Sequence, residues 1–416
     1  MNGQSQPATA LSLPNPSVPT YSRTAMQHLL DQAAWFNMFS IPDAELSNAA
    51  IRVLDNSNRV IGITIRELLH RFEAITEDPT FEKGLTARNV VGETVGKFTQ
   101  RWMVIPDDFE ALPGREPPPT PLDPSRSQRF AMLDGVCKFG DGEDGFRGFG
   151  TGFTIPSTMH GRPQILAVAV GTILEGFGKL KNHEQAVYVY GGSITPDRGF
   201  TGSLLLRVMD PEGTIPTGYD LPPLEPRSDP ERGITYIVIR GQAREEQVVK
   251  PVIGPDAQFK GLQISQDLRL CYLDCTTKGR KGLESVARMG QVIGVINTLV
   301  QVNPADPGGT LLSPIPGRVT GDYVFYDAAA QTVGSFKVDF TESRSFRIEL
   351  AGAAGAQLLL VGNIGRIFGG NGPFEGIGGL ATDNLLVSFV PHVSSGMYVL
   401  RINDPDGKFR AAINGA

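Results

Sequence analysis

The chain is short of the residues that build metal centres and disulfide frameworks. Its 416 residues include three cysteines and five histidines. Cys137, Cys271 and Cys275 are too few for a set of bridges. No two histidines stand at the His-x₃₋₅-His spacing of a zinc site. Cys271 and Cys275, three residues apart in LRLCYLDCT, read as buried free thiols. A basic excess is also missing. Lys and Arg total 38 against 44 Asp and Glu, for a net charge of −6, which argues against general nucleic-acid binding. No run of 18 apolar residues occurs, so no transmembrane helix is expected. The opening residues lack the charged and then apolar regions of a secretory leader. Residues 1–21 read as a flexible tail, and the cytosol is the expected compartment.

Glycine and proline, by contrast, are plentiful: 49 and 31 of 416. Together they exceed the ~12% of average proteins, which favours turns and bent strands over long helices. Helical periodicity is confined to the first quarter. Residues 22–39 place Met26, Leu29, Leu30, Ala33 and Trp35 near a 3.6-residue period, with Ser22 as N-cap. Thr64-x-x-Glu67 has the form of a capping box opening a second helix before Leu68, Leu69 and Phe72. A weaker helical pattern covers 88–103. Residues 106–125, with prolines at 117–119, read as a linker. Beyond it, short apolar segments alternate with glycine turns: QAVYVYGGSI, SLLLRVM, GITYIVIRG, DYVFYDA, SFKVDF, SFRIELA, QLLLVGNI and MYVLRIND. Strands of that length and spacing predict barrels or sandwiches. Residues 284–302 fit a helix or a strand. The β-to-α alternation of a doubly wound sheet is missing.

The chain also repeats itself. At an offset of 194, residues 171–213 match 365–407 without gaps, with ten identities in 43 positions against roughly three expected by chance. The identities include Gly176/Gly370, Gly178/Gly372, Arg207/Arg401, Asp210/Asp404 and Pro211/Pro405. These segments are two copies of one β unit. Gly-x-Gly permits a sharp bend, and Asp-Pro-acid-Gly makes an ordered turn. Arg207–Asp210 and Arg401–Asp404 read as local charge pairs supporting that turn. A functional site is better sought among polar residues that the copies do not share.

Residues 369–379, Gly-Gly-Asn-Gly-Pro-Phe-Glu-Gly-Ile-Gly-Gly, resemble the Gly-Gly-x-Gly-x-Phe-Glu-Gly-x-x-Gly turn and strand of plant allene oxide cyclases. The stretch is also similar to the glycine-rich turn of dirigent proteins. The likeness lies within a run of strands from about 320 to 410, a fifth of the chain. The first copy, from Glu175 to Lys181, keeps only part of it. The resemblance implies an antiparallel barrel with an apolar interior, as in spirotetronate-forming cyclases, and cofactor-free handling of apolar, reactive intermediates. The motif belongs to the fold, so no functional residue is carried over from it.

Gly140-x-Gly142-x-x-Gly145 has the count of a dinucleotide fingerprint, but the residues after it, FRGFGTGFTIP, cannot form the helix that fingerprint needs. The acidic trio Asp141, Glu143 and Asp144 lacks EF-hand spacing and reads as a solvated turn. In the same stretch Phe146, Phe149 and Phe153 are candidates for an apolar pocket mouth, with Arg147 orienting a ligand oxygen. The plainer reading is a glycine-bent barrel strand with core aromatics. Glu175, His183, Tyr188 and Tyr190 have no like residue at the same offset in the second copy, and they are the catalytic candidates. An inward Tyr can donate a proton to a developing enolate while Glu175 or His183 removes one, and burial would bring a carboxylate's pKa toward neutrality. KLKNHEQ is polar enough to be an exposed hairpin. No Gly-x-Ser-x-Gly elbow, P-loop or His-Glu-x-x-His occurs.

The sequence therefore predicts a mainly β protein: two related antiparallel β-barrel-like lobes, allene oxide cyclase barrel-like, with a helical N-terminal region; the repeat alone is equally compatible with the second copy completing one larger barrel. The expected divisions are 1–21 tail, 22–105 helical region, 106–125 Pro-rich linker, 126–305 first lobe and 306–416 second lobe. The expected function is a cofactor-independent cyclase, isomerase or lyase acting on a small apolar metabolite in specialised metabolism. The alternative is a non-catalytic carrier or dirigent-type binder. A further alternative makes one lobe a cavity-free dimer interface. No cofactor, metal, nucleic-acid partner or membrane span is expected, and a homodimer is the assembly to test.

Overall fold

The computed structural model describes residues 21–43, 50–75, 88–159, 162–183, 186–195, 199–210, 233–244, 250–255, 259–272, 288–302, 315–327, 329–348, 358–389 and 391–404, with 212, 215, 355, 356, 406, 407 and 409. A single short helix, α1 (Arg23–Asp31), comes first, followed by β1 (Ala33–Pro42), β2 (Ala50–Leu54), β3 (Val60–Ile75) and β4 (Arg88–Ile105). β5 (Gln128–Phe139), β6 (Asp144–Met159), β7 (Arg162–Phe177), β8 (Ala186–Thr195) and β9 (Gly199–Met209) complete the first half. The second half holds β10 (Ile234–Ala243), β11 (Lys250–Ile253), β12 (Phe259–Tyr272), β13 (Arg288–Val302) and β14 (Ile315–Tyr326). It ends with β15 (Thr332–Ile348), β16 (Leu358–Asn371), β17 (Gly378–Phe389) and β18 (His392–Asn403).

Each half closes on itself. In the first, β1 pairs with both β9 and β3, so β1 and β3–β9 form a closed, antiparallel, eight-stranded barrel with β2 added outside β3. In the second, β10 pairs with both β18 and β12, and β11 takes the place of β2. Strand for strand the halves are the same, so the duplication covers the whole nine-strand unit and not only the segment visible in the sequence. The division at 305/306 falls between β13 and β14, which pair with each other. Residues 106–125 lie between β4 and β5 of the first barrel.

The helical N-terminal region shrinks to α1. Ser22 caps it, its hydroxyl accepting the Ala25 N–H at 3.2 Å, but the helix stops at Asp31 and Trp35 lies in β1. The helix expected to open at Thr64 and the one expected over 88–103 are instead strands β3 and β4, and the ambiguous 284–302 stretch holds strand β13 from Arg288. Thr64 therefore caps nothing. The alternation Ile63, Ile65, Glu67, Leu69 is a strand face, with Ile65 and Leu69 in the barrel interior.

The near-continuous apolar runs mark where the barrels meet. A strand exposed on one side alternates, as β14 does around Val319, Gly321 and Tyr323 with exposed Arg318, Thr320 and Asp322 between. β8 and β17 do not alternate, because both of their faces are buried. Val168, Val170, Val187 and Val189 pack outward against Leu358, Leu360, Leu380 and Leu386 of the other barrel. A second seam joins Trp35, Phe39 and Leu205 to Tyr236, Val238, Met397 and Val399. Burying a side chain of this size is worth about 1.5–3 kcal/mol.

Polar groups cross the seam as well. Arg207, expected to pair with Asp210, instead donates to Leu30 O at 2.9 Å and to Ser395 O of the second barrel at 2.7 Å. Arg401 donates to Ser193 Oγ of the first barrel at 2.8 Å. Trp35 lies against two guanidinium groups, Arg207 at 4.6 Å and Arg240 at 4.9 Å, and Asp31 pairs with Arg240 at 3.4 Å. Asp210 and Asp404 do support their turns, accepting the Ile215 and Phe409 N–H groups, each at 2.8 Å. Among the described residues no helix is long and apolar enough to cross a membrane.

Candidate functional site

The candidate residues separate into an inner and an outer set. Tyr188 and Tyr190 lie on one face of β8 and both point into the first barrel, as an extended Tyr-Val-Tyr requires. Glu175 does not join them. Alternation from Gly171 and Ile173 would aim it inward, but the register of β6 against β7 shifts beside it and turns it out. There it is largely exposed and pairs with Arg147 at 3.8 Å. His183 sits in the turn before β8, its Nδ1 3.1 Å from Met209 O.

The aromatic set divides in the same way. Phe146 is fully buried in the interior, its ring 5.7 Å from Tyr188 and 6.0 Å from Phe98. Phe153 faces outward into the seam between barrels. The glycines among these aromatics serve Tyr188. A Cβ on Gly171 would lie 2.0 Å from Tyr188 Cζ, and one on Gly148 2.9 Å from Cε1. The Tyr188 hydroxyl faces Met132 Sδ at 3.7 Å and no carboxylate.

Tyr190 does meet a carboxylate, one that sequence reasoning passed over. Its hydroxyl donates to Glu67 Oε1, and the Gln100 side-chain amide donates to Oε2. Trp102 Nε1 in turn donates to Gln100 Oε1 at 3.1 Å. Tyr190 also stacks on Phe200, ring centres 4.6 Å apart. Burial pushes the Glu67 carboxyl up to about 7, with the Tyr190 and Gln100 hydrogen bonds pulling the other way. Burial and the nearby Glu67 charge raise the Tyr190 hydroxyl well above its ordinary range. Cys137, buried as a free thiol, is raised by the same two causes. The side chains of Cys271 and Cys275 lie outside the described residues. Glu67 was legible in principle: it is a lone acid on an otherwise apolar period-2 face.

The second barrel places a different acid at the same level. Tyr190 pairs with Leu204 across β8 and β9, and Asp383 pairs with Tyr398 across β17 and β18, so Tyr190 corresponds to Asp383. Glu67, opposite Pro42, corresponds to Gln266, opposite Ala243. Tyr398 donates to Gln266 Oε1. Burial raises Asp383 to about 7, while Asn363 hydrogen bonds favour its charged form. Among the described residues each barrel therefore holds an inward carboxyl and a tyrosine hydrogen-bonded to a buried side chain, dealt to different strands, with one amide (Gln100) beside them in the first barrel and two (Gln266, Asn363) in the second. Set against known protein families, curated proteins and solved structures, the chain matches none.

The motifs at the barrel ends are structural. Gly140, Gly142 and Gly145 lie in and beside the β5–β6 hairpin, with Gly140 and Gly142 at φ 54° and 96°. No helix follows, so the dinucleotide reading has no structural support. Asp144 accepts the Lys179 N–H at 2.9 Å, and Asp141 the Glu143 N–H at 3.3 Å. The glycine-rich 369–379 stretch forms a 3₁₀ turn, Gly372–Phe374, between β16 and β17. Gly370 is required because a Cβ there would meet Phe374 O at 1.7 Å. The first copy makes the same turn at Gly178–Leu180, where Gly176 meets Leu180 O at 2.0 Å.

Proposed function

We propose that the first barrel is a cofactor-independent proton-transfer site, of cyclase or isomerase type, acting on a small apolar metabolite. The observation that carries this reading is Glu67, an inward carboxyl titrating near neutrality and held by Tyr190 and Gln100 within an aromatic wall. Such an acid is ionised in part at pH 7, which suits a group that both takes and returns a proton. In an isomerisation Glu67 would remove a proton from one substrate carbon and deliver it to another, with no net gain or loss. Tyr190 orients the carboxyl, and the aromatic surroundings favour an apolar substrate. Closed eight-stranded barrels and the glycine-rich 3₁₀ turn support kinship with the allene oxide cyclase and dirigent-type barrels. That kinship is an argument from fold and says nothing about the substrate.

A carrier is the second reading, favoured by one observation: both Glu67 oxygens are already hydrogen-bonded within the protein. The two are separated by incubating the protein in D₂O with a panel of small apolar ketones and enones. Deuterium entering the carbon beside the carbonyl is followed by NMR. Proton-transfer catalysis predicts enzyme-dependent exchange that falls at least a hundredfold in Glu67→Gln while circular dichroism is unchanged. Ligand-induced chemical shifts without exchange would leave the carrier reading standing and sink the catalytic one.

A further inference from the structure

The second barrel contains polar side chains that the first barrel does without. Asn363 on β16 and Asp383 on β17 stand directly opposite each other. Both face the interior, since the residues between them along these strands, such as Ile364 and Leu386, belong to the seam. Tyr323 on β14 faces them within the same core, and the Asp383 charge acts on the hydroxyls of Tyr323 and Tyr398. All three are nearly inaccessible, at 2%, 1% and 0% exposure for Asn363, Asp383 and Tyr323. Yet Asp383 Oδ1, Asn363 Oδ1 and the Tyr323 hydroxyl have no hydrogen-bond partner among the described residues. An unpaired buried polar group costs about 1–3 kcal/mol.

The first barrel shows that the fold does not require them. Tyr323 faces Ile296 where Cys137 faces Phe98, and Asn363 stands 194 residues beyond Ala169. The corresponding first-barrel residues are thus Cys137, Ala169 and Tyr190, and that barrel closes with the same strands in the same order. Its own acid is fully engaged, while the acid of the second barrel has one oxygen free. Three inward polar atoms, unneeded for closure and unpaired among the described residues, call for a partner.

We propose that the interior of the second barrel binds a small, mostly apolar molecule through a hydroxyl group. A hydroxyl suits this set because it donates and accepts at once. Its O–H donates to Asp383 Oδ1 or Asn363 Oδ1, and its oxygen accepts from the Tyr323 O–H. The neighbouring walls are aromatic, with Phe336 stacked on Tyr323 at 4.9 Å and Tyr398 edge-on at 5.8 Å. Such walls favour a hydrocarbon remainder.

The test uses the full chain and ligand-observed ¹⁹F NMR with three probes: trifluoroethanol, 4-fluorobenzyl alcohol and 4-fluorotoluene. At least one alcohol is expected to bind, and at least tenfold more tightly than 4-fluorotoluene. Asn363→Ala installs the residue that the first barrel already carries there, which protects the fold. It should weaken alcohol binding about tenfold, while Glu67→Gln leaves it unchanged. Failure of both alcohols to bind, or equal binding of all three probes, overturns the proposal. So does binding that responds to Glu67→Gln and not to Asn363→Ala, which would place the ligand in the first barrel. Absence of deuterium exchange at Glu67 would not touch this result.

Discussion

Where the first barrel sets Tyr188 against Gly148 and Gly171, the second sets Ala381 against Val338 and Gly365. The ring of Tyr188 fills space that Val338 and its neighbour Phe340 occupy in the other half. Large and small residues have exchanged strands at this level, the kind of volume-conserving exchange that cores tolerate. The polar layer follows another rule. Glu67 stands where the second barrel has Gln266, Leu204 where it has Tyr398, and Phe200 where it has Ser394, and with Asn363 added the second interior is the more polar. The lesson is that strand order and pairing are the same in the two halves while the chemistry of the interior differs.

The largest expected effect breaks the comparison at its seam. Arg207→Ala removes two charge-assisted hydrogen bonds, to Leu30 O and Ser395 O, and should cost about 3–5 kcal/mol. Calorimetry should then resolve two transitions in the variant against one expected for the wild type; a single transition with unchanged midpoint would mean that the seam does not couple the barrels.

Acid titration comes next. Glu67 binds its proton more tightly when folded than when unfolded, so between about pH 4.5 and 7 the native state holds more protons. Its contribution to stability is complete below that range and is lost as pH rises through 7. From pH 5 to pH 8 the loss is about 2–3 kcal/mol. Glu67→Gln, which copies Gln266, should flatten the urea-denaturation profile by that share and leave the slope due to Asp383 in place. An unaltered profile would show that Glu67 is not the titrating group.

The smallest effect sharpens the packing argument. Gly148→Val should cost about 1–3 kcal/mol, since the new side chain meets Tyr188. Combining it with Tyr188→Ala reproduces the Val338 and Ala381 arrangement, and the double variant should be more stable than the sum of the single changes. Strict additivity would mean that the two positions do not share one space.

Much of the fold was legible because most strands carry it in their own patterns. The apolar runs of β8, β9, β10, β16 and β18 were readable as strands, and the failure of β8, β9, β10 and β18 to alternate in burial records the other barrel beside them. β3 and β4 misled because Thr64-x-x-Glu67 imitates a helix start, and local capping chemistry cannot register closure onto β1. The site was half legible. Tyr188 and Tyr190 were placed on one face, but Glu175 depended on a bulge that strict alternation cannot foresee. Asp383 escaped because the ungapped offset of 194 sets Tyr190 against Asn384, whose amide donates outward to Val187 O at 2.7 Å. Loops of unequal length slip β17 by one residue against β8, and a one-residue slip exchanges the faces of a strand.

α1 belongs by sequence to the first half, yet it lies on the second barrel, where Gln27 Nε2 donates to Ser394 O across 367 residues of chain. At ~5–20 residues per second of synthesis, that partner leaves the ribosome roughly 20–70 s after the helix does. The first barrel can close, with Arg207 holding the Leu30 carbonyl at the end of the helix, well before α1 meets β18. The clasp between α1 and β18 therefore cannot form until nearly the whole chain has been made.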